Sequence, residues 1–130
     1  MTDEELMDMA KKTSANAHTP YTKFAVGAAV LLSDGEVFTG CNVETSSYGS
    51  SLCAERNAIA SAVAAGRKDI VKVAIYSPES LDVVPCGTCR QWLLDFAGDK
   101  DIVILTQGEN GFNTYTIKQL LPHPHNNSTK

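Results

Sequence analysis

Residues 70–106 read IVKVAIYSPESLDVVPCGTCRQWLLDFAGDKDIVILT, and this stretch decides the architecture. Ile70 to Tyr76 alternates as a strand does. A loop marked by prolines follows. From about Cys86 to Ala97 the pattern is helical, and Gly98 stops it. Asp101 to Thr106 is strand-like and apolar again. A strand, a helix and a strand joined in this way make a right-handed crossover, which leaves the two strands parallel.

Working outward, the same logic applies upstream. A helix from about Leu52 to Ala65, with Ser51 as its expected cap and Gly66 as its stop, joins a strand at Glu36–Val43 to the one at Ile70. Ser33-Asp34-Gly35 is a hairpin signal linking that strand to Ala25–Leu32. Ahead of the hairpin, Thr2 and Glu5 form a capping-box pattern. Leu6, Met9, Ala10, Thr13 and Ala17 then share one helical face until Thr19-Pro20. Downstream, a short Gly-containing link leads to a strand at Phe112–Thr116, which must be antiparallel to its predecessor. Ile117–Leu121 closes with a helical turn. The tail from Pro122 carries two prolines and little apolar content, and is expected to be poorly ordered. The sum is a single domain, 1–130, with a mixed five-stranded sheet covered by helices.

Composition narrows the function. With 43% hydrophobic and 20% charged residues, the chain has the balance of a soluble globular domain. No apolar run nears the roughly 20 residues of a membrane helix, so no membrane partner is expected. The start, Met1-Thr2-Asp3-Glu4-Glu5, is acidic and unlike a secretory signal, so the expected location is cytoplasmic. Net charge is -4. The basic residues are scattered singly or in pairs, without the clustered Lys and Arg that a phosphate backbone requires. Nucleic acid is therefore excluded as a partner, whereas a small neutral substrate is allowed.

Four cysteines stand at 41, 53, 86 and 89. In a reducing compartment they favour metal binding or catalysis over disulfides. Cys53-Ala54-Glu55 opens one helix and Pro85-Cys86-Gly87-Thr88-Cys89 opens the next. A thiolate at a helix N-terminus is stabilised by exposed N–H groups and the dipole. Cys53, Cys86 and Cys89 converging from two helix starts would make a three-ligand site with one vacancy, the form catalytic zinc takes. His18, His123 and His125 lie away from ligand spacing. Cys41 could be a fourth ligand, or a small apolar residue at a strand end. Glu55 could merely complement its helix dipole. Between two ligand motifs it could instead accept a proton from metal-activated water and return it to a leaving group. A lone C-x-x-C also fits a redox pair, but that reading leaves Cys53-Ala54-Glu55 unexplained. The two motifs in this order match the zinc-deaminase signature in its three-Cys form.

The chain also resembles the cytidine deaminase family from Tyr21 to Pro122. The stretches that carry the resemblance are Pro20–Ala28, Gly40–Glu44, Ser47–Gly49, Cys53–Arg56 and Pro85–Gln91. The resemblance implies a three-layer α/β/α fold with helices on both faces, and the small homotetrameric three-Cys branch. It implies one Zn2+ per subunit on Cys53, Cys86 and Cys89, with Glu55 catalytic. The implied reaction is deamination of cytidine and 2′-deoxycytidine to the uridines with release of ammonia, as in pyrimidine salvage. Asn42 and Glu44 would then hold the ribose 3′-hydroxyl; by residue type alone they would be a turn former and a surface acid. Phe24 would stack on the base, or else be an ordinary core aromatic. The Ala54 N–H would meet the pyrimidine carbonyl, and Tyr48 would reach a neighbouring subunit's site. Three thiolates on a divalent zinc leave a net charge of -1, which Arg56 and Arg90 could offset by hydrogen-bonding the sulfurs. The chain departs from the family after Leu120-Leu121-Pro122, where His125 stands in the place of a common Phe, so a looser lid is expected. The rival readings are a deaminase for another amino-pyrimidine, such as blasticidin S, and a non-catalytic zinc module closed by four ligands.

Overall fold

The chain begins with the capping box that its sequence encodes. The Thr2 hydroxyl accepts from the Glu5 N–H at 3.1 Å, and the Glu5 carboxylate accepts from the Thr2 N–H at 3.0 Å. This starts α1, Asp3–Ser14. A computed structural model describes residues 1–125, apart from the Tyr48 side chain. The elements that follow are β1 (Gly27–Leu32), β2 (Val37–Cys41), a 3-10 turn at Tyr48–Ser50 and α2 (Ala54–Ala64). After them come β3 (Ile70–Tyr76), α3 (Gly87–Ala97), β4 (Val103–Gly108), β5 (Gly111–Thr116) and α4 (Ile117–Leu120).

The strands form one mixed sheet in the order β2-β1-β3-β4-β5. β3 and β4 pair in parallel, as the crossover requires, and β4 and β5 pair antiparallel. β1 is antiparallel to both β2 and β3. The crossover through α2 therefore links two strands of the same direction with β1 lying between them. Side chains alternate across the sheet with period two. Ala28, Val30, Val73, Ile75 and Ile104 join the core beneath α2 and α3, while Ala29, Ala74 and Leu105 join the core beneath α1. Helices thus cover both faces, giving three α/β/α layers. Fully burying one of these Leu or Ile side chains contributes about 1.5–3 kcal/mol.

Two glycines set how closely the layers approach. A Cβ on Gly27 would lie 2.0 Å from the Ala10 carbonyl oxygen of α1. A Cβ on Gly40 would lie 2.4 Å from the Ala58 nitrogen and 2.8 Å from the Ala54 oxygen of α2. The contact at Gly27 also corrects the face expected for α1. Leu6, Met7, Ala10 and Ser14 are buried, with Met9, Thr13 and Ala17 only partly covered. Ser51 is likewise not a helix cap: Cys53 holds that position, and the Ser51 hydroxyl accepts from the Thr45 N–H at 3.1 Å.

The topology brings three connections to one end of the sheet. Gly27 pairs with Cys41 on one side and Tyr76 on the other. The approach to β1, the exit from β2 and the exit from β3 therefore meet there, where α2 and α3 begin. Among the described residues, no helix is long and apolar enough to cross a membrane. Residues 126–130, the last of the tail, lie outside the described residues. His125, by contrast, exchanges backbone hydrogen bonds with the Gln91 side chain at 3.3 and 3.4 Å.

Candidate active site

Cys53 and Cys86 are the N-caps of α2 and α3, each with extended backbone angles. Their side chains therefore sit over helix starts, where N–H groups lack intrahelical partners. The Cys86 sulfur accepts from the Cys89 N–H at 3.5 Å. One turn into α3, Cys89 faces back towards both. The Cys53 and Cys86 sulfurs are 3.7 Å apart, those of Cys86 and Cys89 3.4 Å, and all three lie within 4.8 Å of one another. Among the described residues they form the one such group of His, Cys, Asp or Glu. Cys41 is not part of it.

This donor set suits a tetrahedral soft-ligand ion. Zn–S bonds of about 2.3 Å place sulfurs about 3.8 Å apart. The Cys53 thiol is pulled down to about 5, first by the hydrogen bond from Cys89 and then by Arg56 and Cys86. Cys89, the donor in that bond and itself buried beside Glu55, is pushed far up. Cys53 is thus the readiest of the three to give up its proton, and a bound cation would displace thiol protons.

Glu55 follows Cys53 by two residues and is only 4% exposed. Burial raises its carboxyl to about 7, with the Cys53 thiolate adding to the rise. A group so placed can hold a proton or release it at neutral pH, which is what acid–base work requires. Arg56 donates from Nη2 to the Cys53 sulfur at 3.3 Å and to the Ser51 carbonyl at 3.4 Å. Its Nε is buried without a partner among the described residues.

Arg90 differs from its expected role. It donates to the Pro85 carbonyl at 2.7 Å and the Leu120 carbonyl at 2.9 Å. Its reach is taken up by main-chain oxygens, so it braces the loop that carries Cys86 and does not bond the sulfurs.

The remaining residues gather around the approach to β1. Asn42 accepts from the Val26 N–H at 2.9 Å and donates to the Phe24 carbonyl at 2.8 Å. Glu44 accepts from the Tyr21 and Thr22 N–H groups, each at 3.1 Å, and from the Thr22 hydroxyl. Neither is a loose surface residue: both hold the loop bearing Phe24. Phe24 is 36% exposed and belongs to neither core, which removes the core-aromatic alternative. Ala54 is the first residue of α2, so its N–H is one that the helix cannot satisfy. Tyr48 opens the 3-10 turn, and its side chain lies outside the described set. Sequence reasoning missed Thr22 and the carbonyls of Pro85 and Leu120. Thr22 stood inside a quoted motif with no chemistry of its own to mark it, and main-chain acceptors leave no sequence signal.

Residues 1–106 match the family described as the cytidine and deoxycytidylate deaminase zinc-binding region. The chain is 39% identical over 119 residues to the cytidine deaminase of Sporosarcina psychrophila, covering 92% of this chain and 88% of that one. The crystal structure of cytidine deaminase from Burkholderia pseudomallei superposes with a TM-score of 0.88 at 36% identity, covering 96% of this chain and 100% of that one. A blasticidin-S deaminase of Bacillus cereus is 34% identical over 128 residues, covering 92% of this chain and 89% of that one.

Proposed function

The chain belongs to the cytidine deaminase family, and on that premise we propose that it hydrolyses cytidine and 2′-deoxycytidine to uridine and 2′-deoxyuridine, releasing ammonia. The observation that carries this reading is the buried Glu55, which is not a member of the cluster of three sulfurs grouped within 4.8 Å beside it. A redox pair or a closed four-ligand module has no use for that carboxyl.

Cys53, Cys86 and Cys89 would hold one Zn2+, which lowers the pKa of a water molecule towards neutrality. Glu55 takes a proton from the attacking water and passes it to ring N3 as the oxygen adds to C4. It then takes the remaining hydroxyl proton and delivers it to the exocyclic nitrogen. The C4–N bond breaks, ammonia departs and N3 keeps its hydrogen, so atoms and charge balance. Arg56 offsets the negative charge of three thiolates through its bond to Cys53. The Ala54 N–H orients the pyrimidine carbonyl, Phe24 stacks on the base, and Asn42 and Glu44 hold the ribose 3′-hydroxyl. Tyr48 reaches the site of a neighbour in a homotetramer. The setting is pyrimidine salvage in the cytoplasm.

The test is ammonia release from cytidine, deoxycytidine, cytosine, CMP and blasticidin S, with Glu55→Gln as control and zinc measured in both proteins. Turnover of the two nucleosides is expected, falling at least 1,000-fold or so in Glu55→Gln with zinc retained. Activity on blasticidin S alone would keep the chemistry and move the substrate. No turnover from folded, zinc-loaded protein would overturn the enzymatic reading on this panel.

A further inference from the structure

One hydroxyl links the two sides of the nucleoside-facing loop. The Thr22 hydroxyl donates to Oε2 of Glu44 and accepts from the Phe24 N–H at 3.1 Å. A threonine hydroxyl has one donor and two acceptor positions, so a single group can serve both partners. The intervening residue, Lys23, has φ 61, a left-handed conformation that a lysine adopts only when its surroundings hold it. Its N–H is fixed on the Thr19 carbonyl at 3.1 Å.

Each partner has a further anchor, Glu44 on the Tyr21 and Thr22 N–H groups and Phe24 on the Asn42 amide, but the Thr22 hydroxyl bonds to both. Phe24 lies outside both cores, and its place is set by its backbone: the N–H on Thr22 and the carbonyl on Asn42. Glu44 is half-buried, and without these bonds a long acidic side chain would sample several rotamers. The Thr22 hydroxyl is also the leading cause that holds the Glu44 carboxyl below the usual range. Glu44 accepts three hydrogen bonds from Tyr21 and Thr22, and a carboxylate has roughly four acceptor sites, so capacity remains for a ligand hydroxyl.

We infer that Thr22 is a positioning residue for substrate binding, locking Glu44 and Phe24 into one preformed unit before the nucleoside arrives. It touches neither base nor sugar; it acts by removing the ordering cost that two mobile contacts would otherwise impose on binding. The inference rests on the proposed roles of Glu44 and Phe24.

Thr22→Val removes the hydroxyl while keeping the branched shape at an exposed site. The expected result is a KM for cytidine raised about tenfold, with kcat within about twofold and zinc content and melting temperature unchanged. Thr22→Ser should remain within about twofold of the parent in KM, because the hydroxyl is restored. In a Glu44→Ala background, Thr22→Val should raise KM by clearly less than the tenfold expected in the parent, since only its hold on Phe24 is then left to lose. An unchanged KM in Thr22→Val would overturn the inference. So would a joint fall of kcat and zinc content, which marks a merely structural role, or fully additive effects in the double variant. Parent protein that turns over no cytidine overturns the reading beneath it and this inference with it. Parent turnover with an indifferent Thr22→Val removes the inference alone.

Discussion

The two helix starts that bring the sulfurs together are held by different forces. The start of α2 is held by packing. Gly40 lets β2 lie against the backbone of Ala54 and Ala58, and Ala54, Ala58, Ile59 and Ala62 are buried against the sheet. Cys53, its N-cap, makes no side-chain capping bond. The start of α3 is held by hydrogen bonds along a loop that is exposed from Pro78 to Asp82 and covered from Val83 to Pro85. Arg90 grips the carbonyls of Pro85 and Leu120, and the Asp82 carboxylate accepts from the hydroxyls of Thr106 and Tyr115. Glu55 is thus buried and Cys53 half-buried, whereas Cys86 is exposed at the mouth. Damage to the first start should therefore appear as lost stability. Damage to the second should appear as lost metal, with the fold intact.

The largest expected effect tests the packed side. In Gly40→Ala the new methyl would meet three backbone atoms of α2, all within 3 Å, and none can rotate away. Overpacking of this kind costs about 3 kcal/mol, or about 10 °C in melting temperature for a domain of this size. Because α2 must shift, zinc affinity should fall as well. Calorimetry with and without a chelator measures both. A variant that keeps its melting temperature but sheds zinc would break the comparison, since it would make the α2 start as soft as that of α3.

Arg90→Met tests the other side and should cost less stability. It keeps the side-chain stem and removes two charge-assisted bonds to main-chain oxygens. Discounted for partial exposure, the loss is about 2 kcal/mol, and it falls on the loop before Cys86 and on the segment after α4. The expected readout is zinc retention weakened about tenfold or more in a competition titration, with the melting temperature of the zinc-free protein lowered by about 6 °C. An equal drop in stability and zinc affinity would show that Arg90 is part of the core structure.

These contrasts also explain what was legible in the sequence. The crossover through α3 was readable because its strands and helix carry distinct periods, and the hairpin because its turn residues mark it. The cysteines and Glu55 were readable because few residue types perform that chemistry. The insertion of β1 between β2 and β3 was not, since hydrophobic pattern records which face is buried but not which neighbour lies alongside. Nor was the buried face of α1. Met7 and Met9 both suit a helical stripe, and the contact at Gly27 with Ala10 and Ser14 selects between them from outside the helix. Arg90 was misassigned for a related reason. Its partners are carbonyls five and thirty residues away, and a carbonyl has the same identity at every position.

Asp82→Asn should give the smallest effect and separates the loop's two anchors. Asp82 has φ 52, and Asn tolerates that conformation better than most residues, so backbone strain is little changed. The amide oxygen can still accept from Thr106 and Tyr115, but without a charge to strengthen the bonds. The side chain is exposed, so screening limits the loss to about 0.5–1 kcal/mol, or about 3 °C. The Thr106 hydroxyl first, and then that of Tyr115, holds the Asp82 carboxyl below its usual range. A depressed carboxyl contributes stability above its unfolded value, and that contribution is lost as pH falls through the folded value. The gap between parent and variant should therefore stay constant from pH 8 to about 4 and narrow below that. Zinc affinity should change by less than about threefold, because Asp82 sits four residues before Cys86 and Arg90 still grips the intervening Pro85. A loss of tenfold or more in Asp82→Asn, with Arg90→Met the milder variant, would move the anchor of the α3 start from the arginine to the aspartate. The contrast between a packed and a hydrogen-bonded helix start would still stand.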